Sequence, residues 1–449
     1  MNVSRLKDQD LNWADYVFIS GMAIQRKSAR ALIDRCQKLK VKTVAGGPLF
    51  TTEADRFDDV DHLVLGEVEN IMAEIVEDLS RGSARHIYKS EDFPDLIRSP
   101  IPLWRLVDRT KYAIMCIQYS RGCPFDCDFC DITNLNGPKQ RTKSRDQIIA
   151  ELDSLYQWGW RDAVFFVDDN FIGNKQKLKK DILPAVSKWM AEHRYPFTFS
   201  TQLSIDLADD EELMRHMINA GFLTVFVGIE TPHEASLYEC SKYQNVRRDL
   251  VENIKKIQSF GFETQGGFIL GFDHDPPSIF NRLIRFIQDS RIVTAMVGLL
   301  NAPKGSKLYR RLSKEQRIIK STSGDNTDFS LNFIPRMNWK ELLKGYKRVL
   351  STIYSPDHYY NRLKVFLKNF SPPKLRPTYL RVHHIKAFIR SIWHLGILGE
   401  ERLHYWRLFV WSLFQRPLIF PAMLSFAIQG YHFRRIFSKY IRNLSSPFT

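Results

Sequence analysis

Three of the chain's six cysteines fall within eight positions, in "CPFDCDFC" at residues 123–130. Six cysteines in 449 residues are too few for a disulfide scaffold. In a reducing compartment, so tight a group means metal or redox chemistry. The C-x3-C-x2-C spacing of Cys123, Cys127 and Cys130 lets one loop wrap a single cluster, and Gly122 and Pro124 favour the tight turn this demands. A four-iron cluster normally takes four thiolates, so a set of three leaves one iron open to a substrate or cofactor, much as catalytic zinc keeps an open position. A zinc site would ask for a fourth Cys or His at motif spacing, and none follows nearby. Cys36, Cys116 and Cys240 have no partner at ligand spacing and are expected in the core.

Charge is distributed unevenly. The formal net charge is +15, and the residues from Asn361 onward supply +13 of it: 15 Lys and Arg against two acids, Glu400 and Glu401. A basic tail suits anionic lipid or nucleic acid, but no RNA-binding module is recognisable, so nucleic acid is not the expected partner. The tail is interleaved with bulky apolar residues, as in "HYWRLFVWSLFQRPLIFPAMLSFAIQG". A spanning helix needs roughly 20 apolar residues in a row, and Gln415, Arg416, Pro417 and Pro421 interrupt this stretch. It predicts short helices that lie on a membrane surface or pack on the protein. The start "MNVSRLKDQDLNWAD" lacks the apolar segment of a secretory signal, which predicts a cytoplasmic protein, peripheral at most to the inner face of the membrane.

Strand and helix patterns alternate through most of the chain. "ADYVFIS" (14–20) is a buried parallel strand by its continuous apolar run. Ala29, Leu32, Ile33, Cys36 and Leu39 recur at helical spacing, and strands into "TVAGGP" (43–48) and "HLVLGE" (62–67) follow. This is half of a doubly wound domain. The proline-bearing segment 92–108 predicts a linker. Six further strand candidates begin at 113–120, 162–169, 197–203, 223–230, 265–272 and 295–300. Helical patterns separate them, one opened by a capping box of Ser144 and Gln147. The fold class expected is therefore α/β: a half Rossmann-like domain (1–90), a linker (91–110), a partial parallel (β/α)6 barrel (111–330) and a basic helical region (331–449). Chemistry in such barrels gathers at the carboxyl ends of the strands. The cysteine loop follows the first, and Asp168, Asp169 and Asn170, Gln202 and Glu230 end the next three.

With these residues in place, "CPFDCDFC", with aromatic Phe129 before its last cysteine, resembles the cluster loop of the radical S-adenosylmethionine superfamily. The resemblance implies a [4Fe-4S] cluster on Cys123, Cys127 and Cys130, with its open iron chelated by S-adenosylmethionine. It also implies reductive cleavage of that cofactor to a 5′-deoxyadenosyl radical, with electrons from a reductase such as flavodoxin or ferredoxin. Phe129, Asp168, Asp169, Asn170, Gln202, Glu230 and Ile269 are the S-adenosylmethionine-side positions it implies. At the fifth strand the family often has Glu where this chain has His274. "FISGM", "VAGGP" and "VLGE" resemble the later half of a cobalamin-binding domain, which implies Ser20, Gly46 and Gly47 along the cofactor's nucleotide tail. The opening strands of that domain are missing here, including the position of a cobalt-coordinating His, which leads us to expect a truncated gene or misplaced start codon.

Across nearly the whole chain the arrangement is similar to the cobalamin-dependent radical S-adenosylmethionine methylases of the hopanoid C-2 methylase group. "SRGCPF", "DFCDI", "FVDDNFIGNK", "FVGIETP" and "MVGLL" carry the likeness. It implies an enzyme that methylates an unactivated carbon of a small-molecule or lipid substrate. The rivals are a cobalamin-linked rearrangement or cyclisation without methyl transfer, and a degenerate binding protein.

Overall fold

The computed structural model describes residues 3–325, 329–373 and 382–443. The chain divides into two compact units. The first comprises Met1–Pro100, Arg121–Thr142 and Asn301–Phe333, and the second Ile101–Ser120, Lys143–Leu300 and Ile334–Thr449.

In the first unit, β1 (Tyr16–Ser20), β2 (Lys42–Gly46), β3 (His62–Leu65) and β4 (Ile87–Lys89) form a four-stranded parallel sheet in chain order. Both faces are covered, which is why its strands are apolar runs rather than alternations. Ile19, Ile33, Leu49, Phe50 and Leu63 fill one side, and Val44, Val64, Ile75, Leu79 and Tyr88 the other. The helix Arg26–Lys38 buries Ala29, Ile33 and Cys36 as its periodicity predicts. The short strand β4 was not foreseen: only Tyr88 of its three residues is buried, too little to leave a pattern.

In the second unit, six parallel strands pair in chain order: β5 (Met115–Ile117), β6 (Ala163–Phe166), β7 (Thr198–Leu203), β8 (Phe222–Glu230), β9 (Glu263–Leu270) and β10 (Ala295–Leu299). The sheet is open, with β5 and β10 as its edges, as a partial barrel requires. Phe166, Phe171, Phe199 and Phe222 pack with centroids 4.8–5.4 Å apart on its outer side. Alternate residues are only partly buried and share the inner face. By register, Ser200, Thr224 and Glu263 form one row, and Gln202, Phe226 and Gln265 the next toward the carboxyl ends. Cys116 lies in register with Phe165 and is exposed, not in the core as expected. The strand alternates, and a barrel that does not close leaves the inner face of its first strand uncovered. Cys36 and Cys240 are buried, as expected.

An open sheet presents unpaired backbone groups at its edge. At β10 the helix Trp339–Ile353 and the residue after it meet them. The Tyr346 hydroxyl donates to the Val297 carbonyl at 2.8 Å. The Tyr354 hydroxyl donates to the Ala295 carbonyl at 2.7 Å and accepts from the Ala295 amide at 3.2 Å.

The basic region continues as helices Pro356–Asn369, Val382–Ser391, Arg402–Gln415 and Phe420–Asn443. Pro417 interrupts as predicted, but Pro421 does not: it sits in the first turn of a 24-residue helix, where its missing N–H costs nothing. Of the two tail acids, Glu401 is buried and pairs with Arg434 at 2.8 Å. Ile385, Ile389, Trp393 and Ile397 recur every four residues and are all exposed, as are Leu403, Val410, Phe414 and Leu418. Lys386, Arg390, Arg402 and Arg407 stand exposed among them. Among the described residues no helix is long and apolar enough to cross a membrane.

Tyr354→Phe strands a buried N–H and a carbonyl of the edge strand. It should lower unfolding free energy by about 1–3 kcal/mol, read from the denaturant midpoint at unchanged slope.

Candidate active site

The cysteine loop belongs to the first unit, and its roots are fixed by charge. Arg121, just before the loop, donates to Glu67 at 2.6 Å and reaches Glu69 at 2.7 Å. Arg141, at its end, also binds Glu67, bonds the carbonyls of Pro94 and Asn136, and stacks over the Phe93 ring. Glu67 and Glu69 follow β3, so the sheet's carboxyl end holds the loop. Burial pushes the Glu69 carboxyl up, but Arg121 overrides it and the net shift is downward. Gly122 has φ of 89°. A Cβ there would come within 2.5 Å of the Lys139 carbonyl oxygen and 2.9 Å of those of Asn136 and Gly137. The loop therefore closes on its own backbone only through a glycine.

Within the loop, the Cys130 amide donates to the Cys127 carbonyl at 3.0 Å. None of the three cysteines is held in a disulfide; Cys127 is buried, Cys123 and Cys130 partly so. Burial pushes the Cys130 thiol up to about 12, and Asp131, Cys127 and Cys123 add to that. The three sulfurs thus lie within electrostatic reach of one another, an arrangement that a cationic centre would relieve by holding them as thiolates. This donor set fits an iron–sulfur cluster. Among the described residues no three Cys, His, Asp or Glu side chains stand as around a single ion; a cubane gives each thiolate its own iron and asks for a wider spread. Lys307 pairs with Asp126, the Leu308 amide donates to the Asp128 carbonyl at 2.8 Å, and Asn134 binds the Gly305 carbonyl. The stretch 305–308 therefore braces the loop. Phe129, between these contacts and Cys130, is partly buried.

Elsewhere in the first unit, Ser20 and Gly46 are partners in the β1–β2 register. A Cβ on Gly47, whose φ is 87°, would meet the Ser20 hydroxyl at 2.7 Å. The three residues expected along a nucleotide tail thus converge at the ends of two adjacent strands.

At the strand ends of the second unit the expected residues separate into two groups. Asp168, Asn170 and Glu230 are buried and spent on the fold. The Asp168 carboxylate accepts from the Ser120 amide and hydroxyl, and from the Tyr119 amide at 3.4 Å. It pins the end of the first strand where the chain leaves for the cysteine loop. Asn170 ties its strand end to the next, binding Ser204 at 3.2 and 3.3 Å. Glu230 pairs with Lys242 at 2.9 Å and sits at a register shift with φ of 65°, a strained backbone of the kind concentrated at functional sites. Asp169 and Gln202 are partly exposed, and Ile269, partly exposed and opposite Gly298, shares the inner face with Gln202. His274 bonds Glu239 at 2.9 Å. Sequence reasoning missed the Arg121–Glu67–Arg141 clamp and Lys242. Their partners lie 54, 74 and 12 residues away, and only the charges flanking the loop and the "GEVEN" acids hinted at them.

Residues 117–287 match the Radical SAM superfamily, and residues 306–446 match a domain of unknown function, DUF4070. An uncharacterized methyltransferase of Synechocystis sp. is 36% identical over 96% of this chain and 81% of its own length. The hopanoid C-2 methylase of Rhodopseudomonas palustris is 31% identical over 90% of this chain and 78% of its own. The chain belongs to the radical S-adenosylmethionine methylases. Its fold is also that of the radical S-adenosylmethionine methyltransferase TsrM from Kitasatospora setae, solved with cobalamin and a [4Fe-4S] cluster (TM-score 0.63, 14% identity, 93% of this chain and 88% of that one). As a member of this family, the enzyme uses a [4Fe-4S] cluster and S-adenosylmethionine.

Burial pushes the Asp168 carboxyl up to about 7 against its bonds to Ser120 and Tyr119. The folded protein therefore keeps this proton between about pH 4 and pH 7 while the unfolded chain has lost it, so stability falls as pH rises, by on the order of 4 kcal/mol at most. Asp168→Asn should flatten that slope in urea unfolding measured across this range.

Proposed function

We propose that the protein transfers a methyl group to an unactivated carbon of a lipid, by cobalamin-dependent radical chemistry at the cluster held by Cys123, Cys127 and Cys130. The observation that carries the reading is the three-thiol loop, clamped and closed as described, in a chain whose near-full-length relatives include a hopanoid methylase. The cluster, when bound, would supply the electron that cleaves S-adenosylmethionine and so furnish the radical that abstracts hydrogen.

The chain's own residues hold and orient. Arg121 and Arg141 fix the roots of the loop, Asp168 fixes the strand that enters it, and Phe129 lies beside the last thiol. Gln202, Asp169 and Ile269 offer the accessible strand-end surface for S-adenosylmethionine. Gly46 and Gly47 offer a side-chain-free approach for the cobalamin tail, with the Ser20 hydroxyl beside it. Lipid as substrate class is supported by the exposed apolar stripes of the carboxyl-terminal helices with their interspersed cations, the composition of an interfacial helix.

Incubation of the reconstituted enzyme with a hopanoid and methyl-labelled S-adenosylmethionine should give a labelled lipid and 5′-deoxyadenosine. A modified but unlabelled product would instead establish a rearrangement, and Cys127→Ala should lose cluster absorbance and both products. In co-sedimentation with anionic vesicles, replacing Phe414 and Leu418 by Ser should weaken binding about tenfold or more, since each removes a large exposed apolar group; unaltered binding would refute the membrane-docking part.

A further inference from the structure

At the end of the second unit's sheet opposite to the strand ends above, a cavity of about 450 Å³ opens on the inner face, within the roughly 300–1,000 Å³ usual for small-molecule sites. Ala163, Thr198 and Glu263, which begin β6, β7 and β9, mark its position at the amino ends of the strands. Its polar floor is Ser200, Thr224, Glu263, Gln265 and, from the last helix, Gln429. Its walls are apolar, with Phe370, Phe426, Pro372 and Ala422 brought in by the carboxyl-terminal region.

Among the described residues Glu263 is the one ionisable side chain of this lining. Gln265 donates to one of its oxygens at 3.0 Å and Thr224 donates to the other at 3.3 Å. Donors on both oxygens suit a carboxylate, yet every one of them is neutral. Among the described residues no cation pairs with it. Arg362, buried in the same unit, is directed to Gln288 and to the carbonyls of Val293 and Ile353. Glu263 is only partly buried where it lines the cavity, yet desolvation there pushes it upward, because a carboxylate that gives up water without a counter-charge is costly. A ligand that joins a cation to hydrocarbon would match both the carboxylate and the apolar walls.

We propose that this cavity binds a primary organic ammonium ion on a compact hydrocarbon body, its ammonium on Glu263 and its hydrocarbon against Phe370 and Phe426. The two aromatic rings suit a cation's neighbourhood as well as its hydrocarbon. The site stands apart from the catalytic strand ends and does not depend on which substrate is methylated there.

The test is calorimetric titration of the cluster-reconstituted full chain with cyclohexylmethylammonium and with its neutral isostere cyclohexylmethanol. The ammonium should bind with one site per chain and at least tenfold tighter than the alcohol. Glu263→Gln, which keeps shape and hydrogen bonding, should erase that preference while leaving the alcohol's affinity unaltered. Ala422→Phe, which fills the cavity from the helix side, should abolish binding of both. No binding of the ammonium, equal affinity for the two probes, or a preference that survives Glu263→Gln would each overturn the proposal. Should Glu263→Gln fail to fold, the comparison of the two probes on the unaltered protein still decides, and methylation of the lipid is scored separately.

Discussion

Charge buried beside a thiol loop is stable only when each charge is met. In the first unit four side chains meet one another: Arg121 and Arg141 from the two roots of the loop, Glu67 and Glu69 from the end of β3. Removing water from such ions costs several kcal/mol each, and the mutual attraction offsets this only with good geometry and further hydrogen bonds. Here those bonds exist, to Pro94, Asn136 and Ser99. The net stabilisation of such a network is small; its effect is positional. Two arginines bracketing a loop and sharing one carboxylate keep the loop's ends together, so the cysteines between them have little freedom left to lose when they close on a cluster.

The same division of labour recurs at the strand ends of the second unit. Asp168, Asn170 and Glu230 look from their positions like ligand-facing groups, but their oxygens are bonded within the protein: Asp168 to the end of β5, Asn170 to Ser204 after β7, and Glu230 to Lys242 in the loop that follows its own strand. They set the places of Gln202, Asp169 and Ile269, which remain accessible. A polar residue at the carboxyl end of a barrel strand is thus as often a rivet as a ligand, and only its hydrogen-bond partners tell which.

Much of this was legible in the sequence because burial leaves patterns. In the first unit, strands covered on both faces wrote continuous apolar runs, so three of the four in its sheet were visible; the six strands of the second unit's sheet showed as β-length apolar segments between helical patterns. The cysteine spacing announced its chemistry directly. What stayed hidden had short or distant causes. The strand β4 is three residues long with one buried. Cys116 was assigned to the core on its residue type, but the open inner face of β5 leaves it exposed. Pro421 looked like a breaker because its place within the first helical turn depends on where the helix begins. The clamp joins residues too far apart in the chain for any local pattern to pair them.

Two family likenesses, over 117–287 and 306–446, divide the sequence as though the parallel sheet and the helical region were separable modules. The tyrosines at β10 say otherwise. A bare parallel edge is a template for another chain, and here the hydroxyls of Tyr346 and Tyr354, from within the second likeness, occupy it, while β10 itself falls between the two. A sheet inherited without that helix would carry an adhesive margin, so recombination between the two segments is constrained: each new tail must arrive already able to seal the edge it joins.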